Sequence, residues 1–448
     1  MTGLFGFLVT ASAAATGIWL LSVRRTVATA FGGGRTALVF VGFAVLANLA
    51  PVLAGERSSA LIGVLVLALL AWVVRAGRPV RFGPSDRWLR ISWLAAAALL
   101  VWCLGVDVLV GSGLYGSRLV AYVAAALLLL AGALLAARAA LSVRALAYTG
   151  LTVLSVLSVP TIFSGQAWRA CTDGQLEKCS VAGALFKSFY ESENYIAMVA
   201  SFTLAACLVA MRRAELVGAS AFCLLIIVAT GSRTSYLAVA AAGAWALGSF
   251  LIERRRRYER IHLAVCAGLV LVSVTAATYL MWSATKTTLS NRGNIWIHAR
   301  EYLAGMQATG VGVSKWYHLR DVGEAPTHFF HSGYVLAIFA GGFIALAIWS
   351  AWAASLLHGA VLDGRAFSAK TPMVLLLVYS FTEVVWNPLS VDGLSWIFLA
   401  LMLTRSATAS ANPLPVPGPV DAVSRPDGFA PLRRLTARWG NRVAGPRG

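Results

Sequence analysis

The sequence predicts an all-α, polytopic transmembrane helix bundle of about 12–13 spans, with two longer extracytoplasmic loops that carry short helices. Three observations support this. Hydrophobic residues make up 59% of the chain and charged residues 12%, the latter roughly half the share found in soluble globular proteins. Mean hydropathy is +0.75, built from many apolar runs long enough to cross a bilayer. The 37 Lys and Arg against 18 Asp and Glu give a net charge of +19, and the basic residues collect in alternate gaps between those runs. A soluble single-core enzyme, a secreted disulfide scaffold and a disordered chain are excluded. The charge excess reads as membrane topology rather than as affinity for nucleic acid.

In order, the apolar runs lie at roughly 4–23, 36–54, 58–74, 91–110, 119–137, 145–163, 194–211, 216–230, 235–252, 262–283, 333–356, 372–387 and 391–404. The first has no charged leader region and reads as a retained span. Arg24, Arg25 and Arg35 follow the first run; Arg75, Arg78, Arg81, Arg87 and Arg90 follow the third. Arg138 and Arg144, Arg212 and Arg213, and Arg254 to Arg257 with Arg260 follow the fifth, seventh and ninth. Lys and Arg mark the cytoplasmic side, so the other gaps face outward, including the long ones at 164–193 and 284–332. Residues 1–404 therefore read as one transmembrane domain. Residues 405–448, basic and Pro-rich, read as a disordered cytoplasmic tail.

Chemistry is expected in the outward loops. Cys171 and Cys179 fall in the first long loop, where an oxidising compartment favours a disulfide worth about 2–3 kcal/mol. A metal site is the rival, but no His or third Cys lies nearby in sequence. Cys103, Cys207, Cys223 and Cys266 lie in apolar runs and read as small hydrophobes. Glu193 and Asn194 stand where the chain re-enters lipid, and Asn194 is also a candidate N-cap. Arg233, between the eighth and ninth spans, is costly at membrane depth unless it holds an anion such as a lipid phosphate or snorkels to headgroups.

The second long loop predicts a helix from Ile295 to Met306 capped by Asn291. Arg292 and Gly293 directly after the cap make a ready anion site. The GVGV stretch at 310–313 reads as a turn with close backbone approach. His331 stands where the loop meets the eleventh span, three residues after His328. A histidine side chain titrates near neutral pH and can take a proton from a hydroxyl. An interfacial His is also a common satisfied polar residue. With no outward Asp-x-Asp pair or His/Cys metal spacing, a reaction without metal or other cofactor is favoured.

These blocks together resemble the O-antigen ligase and polymerase superfamily over roughly residues 165–350. Gly231-Ser232-Arg233-Thr234 is similar to the family's SR-containing helix start. Ser290, Arg292, Ile295 and Trp296, followed by Gly310-Val311-Gly312, resemble its S-x-R-x-x-x-W…GvG segment, with the Trp here four residues after the Arg. His331-Ser332, nine further residues and Gly342 match the ligase pattern; Ala345 replaces its later Gly-like position. Cys171, Cys179, Phe186, Glu193 and Asn194 resemble an actinobacterial variant of the segment before the seventh span.

The resemblance implies a multi-pass glycosyltransferase of the bacterial plasma membrane, with its active site facing outward. It would use an undecaprenyl- or decaprenyl-diphosphate glycan as donor and a glycan, lipid or protein hydroxyl as acceptor. It implies that Arg233 and Arg292 bind the diphosphate, that Glu193, Asn194 and His328 lie in the substrate site, and that His331 activates the acceptor for inverting attack. The Arg-, Ala- and Gly-rich composition resembles that of GC-rich bacteria, which favours polymerase or wall-glycan ligase over transfer to lipid A core. A carrier of polyprenyl-linked sugars is the alternative, with Asp107 and Glu383 as its candidate internal charges. A transferase using Glu56, beside Arg57, as base and a non-catalytic export subunit complete the set.

Overall fold

A computed structural model describes residues 2–76, 87–110, 118–138, 141–161, 165–171, 178–190, 192–253, 259–326, 329–359 and 367–404. Its helices are α1 (Thr2–Ser22), α2 (Arg24–Ala30), α3 (Gly34–Ala54), α4 (Ser58–Arg75), α5 (Arg87–Leu109), α6 (Leu119–Ala136), α7 (Val143–Ser158) and α8 (Glu193–Ala210). They continue with α9 (Arg213–Thr230), α10 (Arg233–Glu253), α11 (Glu259–Ser283), α12 (Thr288–Tyr302), α13 (Val313–Asp321), α14 (Gly333–Gly359), α15 (Thr371–Tyr379) and α16 (Ser395–Leu403). The fold is an all-α polytopic bundle. Among the described residues, ten helices are long and apolar enough to cross a membrane. The described strands β1 (Trp168–Ala170) and β2 (Ala184–Phe186) form one antiparallel hairpin.

Three predicted spans are shorter than their apolar runs. The sixth ends at Ser158, two residues before Pro160, which has no backbone N–H to continue the helical hydrogen-bond ladder. The last two runs become nine-residue helices, α15 and α16, joined by an irregular stretch at 380–394 that contains Asn387-Pro388 and Asp392-Gly393. Both dipeptides are turn formers. Asp392 also fixes the turn into α16, accepting from the Leu394 amide at 2.8 Å.

The alternate loops gather at opposite ends of the bundle. At one end, Leu141 N–H donates to Leu403 O at 3.2 Å, Ser142 N–H to Ala30 O at 3.1 Å, and Arg144 Nη2 to Ala210 O at 2.9 Å. At the other end, Ser188 donates to Leu157 O at 2.9 Å and the Tyr190 phenol donates to Asn48. Burial holds that phenol well above its usual range, so it remains a donor. The second part of the long loop at 164–193 thus packs against α3 and α7 at that end. Arg254 to Arg257 and the tail 405–448 lie outside the described residues.

α8 and α14 run largely buried, whereas α1, α4, α10 and α11 turn most of their surface away from the bundle. α14 breaks at Gly341 (φ −149°, ψ 17°) and Gly342 (φ 67°, ψ −163°). The freed backbone pairs with the loop before α13: Val311 N–H donates to Phe339 O at 2.9 Å and Phe343 N–H to Gln307 O at 2.9 Å. A Cβ on Gly342 would lie 2.2 Å from Ala308 O, and one on Gly310 2.5 Å from Gly342 N. Both positions need glycine because two backbones touch there.

Candidate functional site

Three helices begin at one place. α8 starts at Glu193, α10 at Arg233 and α14 at Gly333, and the stretch after α15 lies among them. Ser192, not Asn194, caps α8, accepting from the Asn194 amide at 3.3 Å. That leaves the Asn194 side chain for other partners. Its Oδ1 accepts from Ser232 at 3.0 Å, and its Nδ2 donates to Glu383 Oε1 at 2.8 Å. The amide is anchored from below as well. Ser235 donates to Ser232 at 2.9 Å, and the Tyr379 hydroxyl lies 2.8 Å from both Ser235 and Ser201. All of these side chains are buried. A satisfied buried network of this kind is rigid.

Glu383 is the hub. Arg292 donates to the same Oε1 at 2.6 Å and to the Thr382 carbonyl. The other oxygen, Oε2, lies 3.7 Å from His331 Nδ1, too long for a formed hydrogen bond but within ion-pair range. The His331 ring is 36% exposed and the Glu383 side chain 8%, so the pair sits where a buried carboxylate meets an accessible imidazole. Their separation is set by backbone. Gly333 N–H donates to Ser380 O at 2.9 Å and to Glu383 O at 3.1 Å, and Ser332 donates to Ser380 O at 2.9 Å. His331 itself adopts φ 47°, a left-handed conformation that costs a non-glycine residue about 1–3 kcal/mol and persists only where its surroundings enforce it. It throws the ring off the start of α14 toward Glu383.

Among the sequence-predicted residues, Arg292, His331 and Asn194 meet at one carboxylate. Arg233 is the first residue of α10 and is exposed; its neighbour Ser232 belongs to the same network. Glu193 is 1% exposed, with Arg169 at 2.9 Å from Oε2 and Lys178 at 2.6 Å from Oε1. Cys171 and Cys179 are joined as a disulfide with Cα atoms 5.5 Å apart. His328 lies outside the described residues, as does the side chain of Glu56. α12 begins at Thr288 and ends at Tyr302, so Asn291 lies in its first turn rather than at the cap, and Leu303 to Met306 lie beyond its end. The helix starts early because Gly293 admits the preceding turn: a Cβ there would lie 1.9 Å from Thr285 O. The sequence offers Glu383 only as a candidate internal charge for a carrier. A lone carboxylate inside an apolar run was its signal.

Residues 218–350 match the O-Antigen ligase family. The segment belongs to the O-antigen ligase superfamily. No curated protein and no solved structure matches the chain. The O-antigen ligase segment contributes Ser232, Arg233, Arg292 and His331, whereas Asn194 and Glu383 come from outside it on either side. An O-antigen ligase domain implies a glycosyltransferase-type enzyme of surface polysaccharide assembly, in a multi-pass bacterial membrane protein that handles a lipid-linked glycan donor and an acceptor.

Proposed function

We propose that the chain is an inverting glycosyltransferase that moves a glycan from a polyprenyl diphosphate to an acceptor hydroxyl at the outer face of the plasma membrane. The observation that carries this reading is the division of labour on Glu383. One oxygen is held by Arg292 and Asn194, and the other is left facing His331. A carboxylate beside Nδ1 favours the tautomer that carries its proton there and directs Nε2 to act as acceptor. As the acceptor oxygen bonds to the anomeric carbon, its proton passes to Nε2. The carbon–oxygen bond to the diphosphate breaks on the opposite face, and the diphosphate leaves with the bonding electrons. Glu383 then stabilises the imidazolium, and Arg233 and Arg292 hold the leaving anion.

In this reading the reaction runs on side chains, with one Glu383 oxygen held by Arg292 and Asn194. Outward placement rests on the Lys and Arg asymmetry of the loops. The acceptor is a glycan, lipid or protein hydroxyl.

The test is His331→Ala in purified full-length protein. Transfer from an undecaprenyl-diphosphate oligosaccharide should fall about 100- to 10,000-fold per folded molecule, with donor binding and folded yield retained. Near-normal turnover would remove the catalytic role. A lowered yield with normal turnover per folded molecule would make His331 a structural residue.

A further inference from the structure

The hydroxyls beneath the site have a direction, which follows from the hydrogens each can give. Asn194 Nδ2 donates to Glu383 Oε1 at 2.8 Å, since only the nitrogen end of an amide can donate to a carboxylate. Its Oδ1 is thereby turned to Ser232, which gives up its one hydroxyl hydrogen at 3.0 Å. Ser232 can then only accept, and Ser235 donates to it at 2.9 Å. Ser235 has now spent its own hydrogen in turn. The Tyr379 hydroxyl has two hydroxyl neighbours, Ser201 and Ser235, each at 2.8 Å, and one hydrogen to share between them. The demand from the site end sends that hydrogen to Ser235.

Ser201 completes the set from behind. Its hydroxyl also lies 2.8 Å from Ala197 O, a carbonyl that can accept a helical N–H as well, so its hydrogen can serve Tyr379 at little cost. Every donor from Tyr379 onward therefore points the same way: to Ser235, to Ser232, to Asn194 and finally to Glu383. Aligned hydrogen bonds polarise one another, which makes the last donor in the line, the Asn194 amide, a stronger one. The line also returns to where it began. Tyr379 ends α15, and the Glu383 backbone N–H donates to Tyr379 O at 2.7 Å. The relay leaves α15, crosses α10 and α8, and closes on the carboxylate one turn further along the same chain.

Building on the glycosyl-transfer reading above, we propose that Tyr379 is a positioning residue for the reaction. Through Ser235, Ser232 and Asn194 it holds Glu383 Oε1 and so keeps Oε2 turned to His331. Tyr379 is fully buried, and it reaches the reaction only through this relay.

The test is Tyr379→Phe in full-length protein in lipid nanodiscs, with transfer from an undecaprenyl-diphosphate oligosaccharide measured alongside folded yield. Phe keeps the ring stacked on Phe202, 5.9 Å away, and removes only the hydroxyl. kcat per folded molecule should fall about five- to tenfold, while the donor concentration for half-maximal rate stays within about twofold. Ser235→Ala, which cuts the relay one link further on, should show the same split. Tyr334→Phe is the matched control: its hydroxyl is equally buried and lies 3.1 Å from Leu377 O on α15, outside the relay, and kcat should be kept. In an Asn194→Ala background, where the relay is already open, Tyr379→Phe should cost no further rate. Normal kcat in folded Tyr379→Phe or Ser235→Ala overturns the proposal. So does an equal loss in Tyr334→Phe, or the full loss repeated in the Asn194→Ala background. Any of these results beside a His331→Ala variant that has lost transfer removes the relay and leaves the transfer reading standing. Near-normal turnover in His331→Ala overturns that reading, and the relay with it.

Discussion

Asp107 and Glu383 are both carboxylates inside apolar stretches, and from the sequence they look equivalent. Their surroundings make them opposites. Asp107, near the end of α5, is fully buried, and its oxygens are taken by uncharged donors. Ser314 N–H reaches Oδ1 at 2.8 Å, while Tyr122 and the Ser314 hydroxyl lie 2.6 and 3.2 Å from Oδ2. It caps the start of α13 and fixes Gly312, whose added Cβ would lie 2.4 Å from Oδ1. Glu383 instead has a guanidinium and an amide on one oxygen and a half-exposed imidazole facing the other. A carboxylate saturated by neutral donors is a fastening. One that couples a fixed cation to an accessible ring can take part in proton transfer.

Neither arrangement suits a carrier, which needs its charge on a path through the membrane. Asp107 is closed in, and Glu383 sits at the same end of the bundle as the starts of α8, α10 and α14.

The contrast can be broken experimentally, beginning with the largest expected effect. Glu383→Gln keeps the shape but loses the charge behind His331, so transfer should fall about 100-fold or more. Combined with His331→Ala it should add little further loss, because the two act as one unit. Kinetics of the single and double variants check this, and fully additive losses would separate Glu383 from the base. Arg292→Lys should raise the donor concentration needed for half-maximal rate by about tenfold, since Lys cannot bridge Thr382 O and Glu383 while facing a phosphate. Asp107→Asn should leave turnover per folded molecule within about twofold yet lower stability by about 1–3 kcal/mol, read as a reduced unfolding midpoint. Tyr122→Phe, which removes one of three donors to Asp107, should cost about 1 kcal/mol in the same assay with normal turnover. A large loss of turnover in either Asp107 or Tyr122 variants would erase the distinction.

Apolar run length was enough to read the spans that hold unbroken helices. Reading failed where backbone geometry interrupts an apolar run. Averaged hydropathy passes over 380–394, although Asn387-Pro388 and Asp392-Gly393 mark turns there, and so it placed Glu383 near a span end without partners. Arg292 and His331 were visible because an Arg and a His are conspicuous in outward loops. Asn194 was legible as a polar residue at a helix start, but its link to Glu383 spans 189 positions and leaves no trace in local sequence. The same holds for Gly342. Its spacing from His331 can be counted in the sequence, whereas the reason for the glycine, the carbonyl of Ala308 against its backbone, is a tertiary contact.

The gathering of three helix starts at the site has a consequence for what happens after the bond is made. Each N-terminus carries a partial positive charge of about half an elementary unit from its aligned peptide dipoles. That field is part of the backbone and is removed neither by pH nor by changing an arginine. In the proposed reaction it would draw the donor in, and it would act likewise on the spent polyprenyl diphosphate, whose exposed terminal phosphate bears more charge than the diester did. On that reading the leaving lipid is held more tightly than the arriving one. Strong product inhibition by undecaprenyl diphosphate, relieved by a phosphatase that trims it to the monophosphate, is the expected kinetic signature, and it ties the pace of this enzyme to whatever recycles the lipid.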